Sequence, residues 1–225
     1  MAIKRTTGPL AEPLTTSEVK THIKVDISDD DTLIDSMIRA ARRHVEGLTN
    51  RALLPQNYQL TLNGFPLSSS TPINLPIGPI ISVNSITYID PQGTSQTWAT
   101  SDWELHNDDD HEPAVILPVH DGTYPSTQGY RGAVTIAFTA GHGQTFTADN
   151  ATNTFTSTAH PYSNGNVVRV VNDSNDLPDG LSKGTNYYIL SAATNTFQLA
   201  TTDAGNAVTI SDNGIGMSRE EVITN

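Results

Sequence analysis

The stretch "DDDTLIDSMIRAARRHVEGLTN", Asp29 to Asn50, carries the strongest structural signal in the chain. It begins with three acidic residues. Acidic side chains stabilise the N-terminus of a helix, and we prefer this interpretation to a metal site. Apolar residues then recur at helical spacing on one face, at Leu33, Ile34, Met37, Ile38, Ala41, Val45 and Leu48. Gly47 offers an exit. The pattern predicts a helix over residues 31–48 with one wide apolar face.

Three arginines, Arg39, Arg42 and Arg43, fall late in this helix, where cations suit the helix dipole. A solvated face is the simple interpretation, and a docking site for an acidic partner is the alternative. Together with the apolar positions they define a candidate partner-binding face of eight residues: Leu33, Ile34, Met37, Ile38, Arg39, Arg42, Arg43 and Val45.

A shorter helix precedes it in "LTTSEVKTHI". Thr15 and Glu18 have capping-box spacing, and Leu14 and Val19 are placed as a hydrophobic staple. We predict a helix over residues 15–23, so that the two helices form a hairpin. The first helix is too short to cover the apolar face of the second.

From Asn57 to Thr139 the apolar period changes from about 3.6 to 2. Short alternating runs are separated by turn signals such as "DPQGTS", which indicates a hairpin. Pro76, Pro79 and Pro113 mark strand ends or edges. This segment predicts an antiparallel sheet of about half a dozen strands over residues 57–139, and with the helices an α+β connector domain over residues 1–143.

The next segment, residues 144–216, is rich in Thr, Asn, Ser and Gly and alternates in short runs. We predict a second, all-β accessory module, a sandwich or a barrel. The pentapeptide "ATNTF" occurs twice in it, at 151–155 and 193–197. Tyr162, Tyr187 and Tyr188 are expected in its core, although stacking on a glycan is the alternative. Residues 217–225 are expected to form a tail or a short helix capped by Ser218 and Glu221.

Composition excludes several classes of protein. The 225 residues contain no cysteine, so disulfides and thiolate metal sites are absent. The net charge of −12 disfavours a protein that grips DNA, although it suits a wall past which DNA slides. No apolar run reaches membrane-spanning length, and the first residues lack a signal-peptide pattern.

The order of these segments resembles the head–tail connector (adaptor) family of tailed bacteriophages, from Leu14 to Gly143. The resemblance rests on the series "LTTSEVKTHIKVD", the acidic-start helix, "E-x-x-T-N-R-A-L" at Glu46–Leu53, the proline-rich strand entry and "FTAGHG" before the second module. Relatives continue from that point into amphipathic helices, whereas this chain continues with "QTFTADNATNTFTS". The apolar face of the second helix therefore needs another partner.

The resemblance implies a structural protein without an active site or cofactor. It implies a ring of about twelve copies beneath the portal protein, which extends the DNA channel and provides the docking surface for a tail-side protein. DNA would pass without specific binding, no membrane would be involved, and the protein would be made in the host cytoplasm and reside in the virion neck. The alternative is a glycan- or receptor-binding β module of a virion appendage.

Near the end of the chain, "DNGIGM" from Asp212 to Met217 resembles the glycine box of the GHKL ATPases, in the Hsp90 version. In that family the Asp binds the adenine amino group. The helix motif that such a site needs is not matched, because Glu46-x-x-x-Asn50 is followed by "RALL" and lies far from Asp212. No Walker lysine loop occurs elsewhere. We expect a strand and a turn here, and no nucleotide site.

Other candidate chemistry is weaker. "HNDDDHE", His106 to Glu112, has contiguous carboxylates, whereas calcium loops alternate their ligands, so a solvated acidic loop is expected. His120, His142 and His160 are isolated and lack ligand spacing. We therefore predict no catalytic, cofactor-binding or metal-binding residues.

The purified protein is expected neither to bind nor to hydrolyse ATP, because the parts that hold the phosphates are missing. Isothermal titration calorimetry with Mg-ATP checks this, with Asp212→Asn as the matched control. Micromolar binding that is abolished by Asp212→Asn would contradict the prediction.

Overall fold

The computed structural model describes residues 1–107, 113–158, 160–172, 177–183 and 185–220. The chain divides into two compact units. The first unit comprises Met1–Gly8 and His44–His142, and the second comprises Pro9–Arg43 and Gly143–Asn225. Neither unit is continuous in sequence. The division into a connector domain over residues 1–143 and an accessory module over residues 144–216 stays a prediction.

Within the described residues the chain forms two helices and fourteen strands. The helices are α1 (Thr16–Ile23) and α2 (Asp31–Thr49). The first eight strands are β1 (Ala2–Thr7), β2 (Gln56–Leu62), β3 (Ile73–Asn74), β4 (Ile80–Ile89), β5 (Ser95–Thr97), β6 (Trp103–His106), β7 (Val115–Pro118) and β8 (Val134–Ala140). The later strands are β9 (Gln144–Asp149), β10 (Thr154–Thr156), β11 (Val167–Val171), β12 (Asn186–Leu190), β13 (Thr196–Ala200) and β14 (Ile215–Glu220). The α+β class with an all-β second module is confirmed.

The first unit is built on a five-stranded antiparallel sheet with the order β1-β2-β8-β4-β5. The central strand β8 alternates between buried and half-buried residues, as the period of two requires. Its buried side chains, which include Ile136 and Phe138, pack with Leu60 of β2 and Ile86 of β4 in one apolar core. The segment 56–140 therefore folds around β8.

Two features of this unit differ from the sequence-based expectation. The strands are divided between the large sheet and a separate three-stranded sheet, β3-β7-β6, rather than forming one sheet. In addition, β1 was not predicted: it pairs with β2, with Ile3 opposite Leu60, but all six of its residues are exposed. Because β1 buries no side chain, its sequence carries no apolar alternation that would have revealed it.

The second unit contains a closed six-stranded barrel with the order β10-β13-β12-β11-β14-β9. Its core includes Phe146, Phe155 and Phe197. The two "ATNTF" copies end on neighbouring strands, because Phe155 of β10 pairs with Phe197 of β13, and their rings stack with centroids 5.7 Å apart. The repeated pentapeptide thus supplies two matching edges of one core. Tyr162 and Tyr187 are buried in the same core.

The end of the barrel corrects the expectation for residues 217–225. Residues up to Glu220 form strand β14, which pairs with β9 on one side and β11 on the other, rather than a tail or a short helix. Ser218 is fully buried, and the Tyr162 hydroxyl donates to its carbonyl oxygen at 2.9 Å. The pairing of both edges outweighs the helix-capping signal at Ser218. Glu221 and the residues after it lie outside the described residues.

The glycine box is part of the segment that closes the barrel. Gly216 packs so tightly that a Cβ atom there would lie 2.5 Å from Cζ of Phe146. The Asp212 carboxylate accepts the backbone N–H of Asp179, and the Asn213 side-chain oxygen accepts that of Asn150 at 2.8 Å. The residues that resemble an adenine-binding motif are therefore engaged in turns and in core packing.

Strand β14 generates a prediction about the barrel. Truncating the full chain after Gly216 removes all of the pairing between β14 and β11 and should leave two unpaired edges, so we expect the barrel resonances to collapse in a ¹⁵N–¹H correlation spectrum. The first unit should keep its dispersed resonances. Truncation after Glu220 is the control and should preserve the barrel. A well-dispersed barrel in the shorter chain would contradict the prediction.

Candidate docking surface on the second helix

Helix α1 begins at a complete capping box. The Glu18 carboxylate accepts the Thr15 backbone N–H at 2.7 Å, and the Glu18 N–H donates to the Thr15 hydroxyl at 3.2 Å. Lys24 ends the helix in the left-handed conformation. The first helix is therefore defined by local hydrogen bonds, since none of its residues is fully buried.

Polar contacts join α1 to α2. The Thr16 hydroxyl donates to the Asp35 carboxylate, and the Lys20 ammonium group lies 2.8 Å from the Asp31 carboxylate. Asp31, one of the three acidic residues at the start of α2, thus has a partner on α1. These contacts fix the hairpin that the sequence predicts.

Glu18 also links α1 to the barrel of the same unit. The Arg169 guanidinium of β11 donates to Glu18 Oε1 at 2.6 Å. Burial raises the pKa of Glu18, but hydrogen bonds from Thr15 and Arg169, together with the Arg169 charge, outweigh it and hold the pKa below its usual value. One carboxylate therefore caps α1 and anchors it to the second module.

Helix α2 has a buried face at Ile34, Ile38 and Arg42. Arg42 is only 4% exposed and forms a bidentate ion pair with Glu12: Nε donates to Oε2 at 2.7 Å and Nη2 to Oε1 at 3.2 Å. These three members of the predicted partner-binding face are covered within the chain itself. Arg42 is therefore an internal ion-pair residue rather than a docking group.

The other members of that face are exposed. Leu33 is 52% exposed, Met37 is 59% exposed and Val45 is 41% exposed. Arg39 and Arg43 are exposed as well. The structure thus splits the eight predicted residues into a covered set and an exposed set. We call Leu33, Met37, Arg39 and Arg43 the exposed α2 face.

The two exposed arginines are not explained by the helix dipole. Asp31–Thr49 has no basic residue in its last turn, so Arg39 and Arg43 lie too far from the C-terminus to stabilise it. The Arg39 Nε donates weakly to the Asp35 carbonyl of its own helix at 3.4 Å. In the part of the chain that the structure describes, neither arginine forms an ion pair.

Other candidate chemistry was also placed. The second unit has a cavity of about 450 Å³ beside α2, lined by polar groups that include Thr15, Asp35, Arg39 and Lys183. No group of three or more His, Asp or Glu side chains is arranged to hold a metal ion among the described residues. Most of the acidic loop, 108–112, lies outside those residues. None of the described helices is long and apolar enough to cross a membrane.

Part of the chain is similar to a known protein family. The model of the family "Phage gp6-like head-tail connector protein" matches residues 14–102, which include both helices and strands β2 to β5. Residues 14–102 are thus similar to gp6-like head–tail connector proteins, and we call them the connector segment. Among curated proteins, none matches the chain.

Solved structures from gene transfer agent (GTA) particles are similar to the chain. A chain in a virion of a native GTA particle is 27% identical, with a TM-score of 0.50, and the match covers 63% of this chain and 72% of that one. A chain in the neck of an empty GTA particle, computed with C6 symmetry, is 27% identical with a TM-score of 0.51 and coverages of 63% and 71%. A chain in the neck of a native GTA particle, computed with C12 symmetry, is 28% identical with a TM-score of 0.49 and coverages of 64% and 71%.

Two residues that position the helices lie outside the connector segment. Glu12, the partner of Arg42, precedes it, and Arg169, the partner of Glu18, comes from the barrel. Sequence analysis did not identify either of them, because a single charged residue gives no periodic signal. The helices of the connector segment are thus held by side chains from both neighbouring stretches.

The buried ion pair generates a prediction about stability. Glu12→Ala leaves the Arg42 charge without its carboxylate, so the free energy of unfolding should fall by about 3–5 kcal/mol. Chemical denaturation of the full chain measures this. Arg43→Ala, an exposed change on the same helix, should alter it by less than about 0.5 kcal/mol. Equal stability of the two variants would contradict the internal role of Arg42.

Proposed function

We propose that the protein is a structural head–tail connector (adaptor) that forms a ring beneath the portal of a tailed phage or phage-like particle. The observation that carries this proposal is the connector-family match over residues 14–102, which contains the complete helical hairpin. The similarity to a chain from a particle neck with C6 symmetry supports a cyclic ring in the virion neck. Twelve copies is the number that the family resemblance implies.

The partners follow from this position. The ring would contact the portal protein on one side and a tail-side neck protein on the other, after synthesis in the host cytoplasm. The net charge of −12 supports a channel that DNA traverses without specific binding, because such a chain repels phosphate on average. A membrane has no part in this function.

A non-enzymatic role is part of the proposal. The matched family is one of structural connector proteins. The motif that most resembles an enzyme site, Asp212–Met217, is committed to closing the barrel, and Gly216 has no space beside it. The side chains of Asp212 and Asn213 accept backbone N–H groups of turns.

The glycan-binding alternative is not favoured. Two of the three tyrosines that would supply stacking, Tyr162 and Tyr187, are buried in the barrel core. Buried rings cannot present a face to a sugar. The barrel therefore acts as a supporting module of the connector.

The exposed α2 face supports docking within the ring. Leu33 and Met37 are more than half exposed, and burying the exposed part of such side chains stabilises a contact by about 1–2 kcal/mol each. A ring closes through head-to-tail contacts, in which each copy offers two different patches. We therefore assign the exposed α2 face to a contact between subunits.

The experiment that tests this function replaces Leu33 and Met37 with Asp in the same chain. Because both side chains are exposed, the variant should stay folded, with an unchanged circular dichroism spectrum, but it should lose ring assembly on purified portal. Mass photometry and electron microscopy of the portal complexes measure this. Thr201→Asp with Thr202→Asp, two exposed changes in the barrel, is the matched control and should assemble normally.

If the double variant is folded and assembles as the unaltered chain does, α2 is not part of the interface. Failure of the unaltered chain to form a ring or join the portal would contradict the connector function itself.

A further inference from the structure

We propose that α2 docks onto α2 of a second copy of this chain, with the acidic N-terminal end of one helix lying against Arg39 and Arg43 of the next. The inference rests on the proposed ring and specifies the partner and the register of that contact. It follows from two exposed patches of opposite charge on one helix, with exposed apolar side chains beside the acidic patch.

The acidic patch lies at the start of α2. Asp26, Asp29 and Asp30 are exposed, and in the described part of the chain none of them forms an ion pair. Asp31 differs, because Lys20 already neutralises it. Three carboxylates therefore face solvent without a cation.

The basic patch lies in the middle of the same helix. Arg39 and Arg43 are four residues apart, so they lie on adjacent turns of one face. Arg42, between them in sequence, lies about 60° from Arg39 and about 100° from Arg43 around the helix, on the buried side, and is satisfied by Glu12. The two exposed guanidinium groups thus carry charges that the subunit leaves unpaired among its described residues.

The two patches cannot neutralise each other within one subunit. Arg39 follows Asp30 by nine residues, which corresponds to about 13 Å along a helix. The screening length at physiological ionic strength is about 8 Å. A second copy displaced along the helix axis can bring its acidic patch beside these arginines, which the subunit's own geometry prevents.

Apolar side chains lie beside the acidic patch. Leu33 and Met37 follow Asp30 on one flank of α2, and both are more than half exposed. Arg39 and Arg43 lie on a different flank, because Arg39 is two residues from Met37 and side chains at that spacing do not face each other. A head-to-tail contact joins two different patches, so the contact that pairs the charges also brings Leu33 and Met37 against the next copy.

A second copy fits these features better than other partners. The helix dipole accounts for acidic residues at the N-terminus but for neither arginine. DNA would be repelled by the acidic patch. Because both complementary patches belong to one chain, no other protein is required, and such a heterologous contact propagates into a ring.

The test uses charge reversal in the full chain, on purified portal, under conditions in which the unaltered protein forms rings. One variant carries Asp29→Lys with Asp30→Lys, and the other carries Arg39→Glu with Arg43→Glu. Each variant alone places like charges across the contact, so the concentration needed for half-maximal assembly should rise by about 100-fold or more. Circular dichroism should show both variants folded.

Rescue then separates this contact from simple damage to the helix. An equimolar mixture of the two variants, or one chain with all four changes, restores opposite charges at the contact and should recover ring assembly to within about tenfold of the unaltered protein. Mass photometry reports the particle size. If circular dichroism shows that one of the two variants is unfolded, the chain with all four changes is measured in its place, because it carries the same substitutions.

Several outcomes overturn the inference. If either charge-reversed variant still forms rings, the charged patches do not meet. The same holds if combining the two pairs of substitutions does not restore assembly. In both cases the connector function stands. A two-fold dimer in place of a ring shows a self-complementary contact instead of a head-to-tail one. Absence of rings from the unaltered protein contradicts the connector function and the inference together.

Discussion

The ion pair between Arg42 and Glu12 determines which side of α2 faces the solvent. A buried guanidinium needs a carboxylate beside it, and this pair is bidentate, so it restricts rotation of the helix about its axis as well as its position. With Arg42, Ile34 and Ile38 turned inward, Leu33, Met37, Arg39 and Arg43 must face outward. The proposed docking surface is thus a consequence of where one internal charge is neutralised.

The accessory barrel also helps to position α1, through one side-chain contact. Arg169 of β11 binds Glu18, and Glu18 also closes the capping box at Thr15. Loss of this carboxylate would therefore unfasten the start of α1 and its link to the barrel at once. Relatives of the connector family are expected to support the hairpin with amphipathic helices. In this chain the barrel contributes a polar anchor to the hairpin instead, so the second module belongs to the compact unit that also contains residues 31–43 of α2.

Sequence analysis predicted the elements that have a regular signal. The helical spacing of α2, the capping box of α1 and the alternation in β8 each follow from a local pattern that the structure repeats. It missed β1, which buries no side chain, and it misread residues 217–220, whose pairing to β9 and β11 comes from distant segments. It also treated Arg39, Arg42 and Arg43 as one group. Only Arg42 is buried, and its partner Glu12 lies thirty residues away, beyond the reach of any helical rule.

The glycine box shows why a short motif does not determine chemistry. In a nucleotide site, glycines let the backbone approach a ligand, and here the same lack of a side chain lets β14 approach the Phe146 ring. A carboxylate that could bind an adenine amino group instead accepts the N–H of Asp179. Both uses need a small residue beside an acidic turn, so the sequence alone is ambiguous between them. The surroundings decide: strands pair with β14 on both sides, and Gly216 packs against the Phe146 ring of the barrel core.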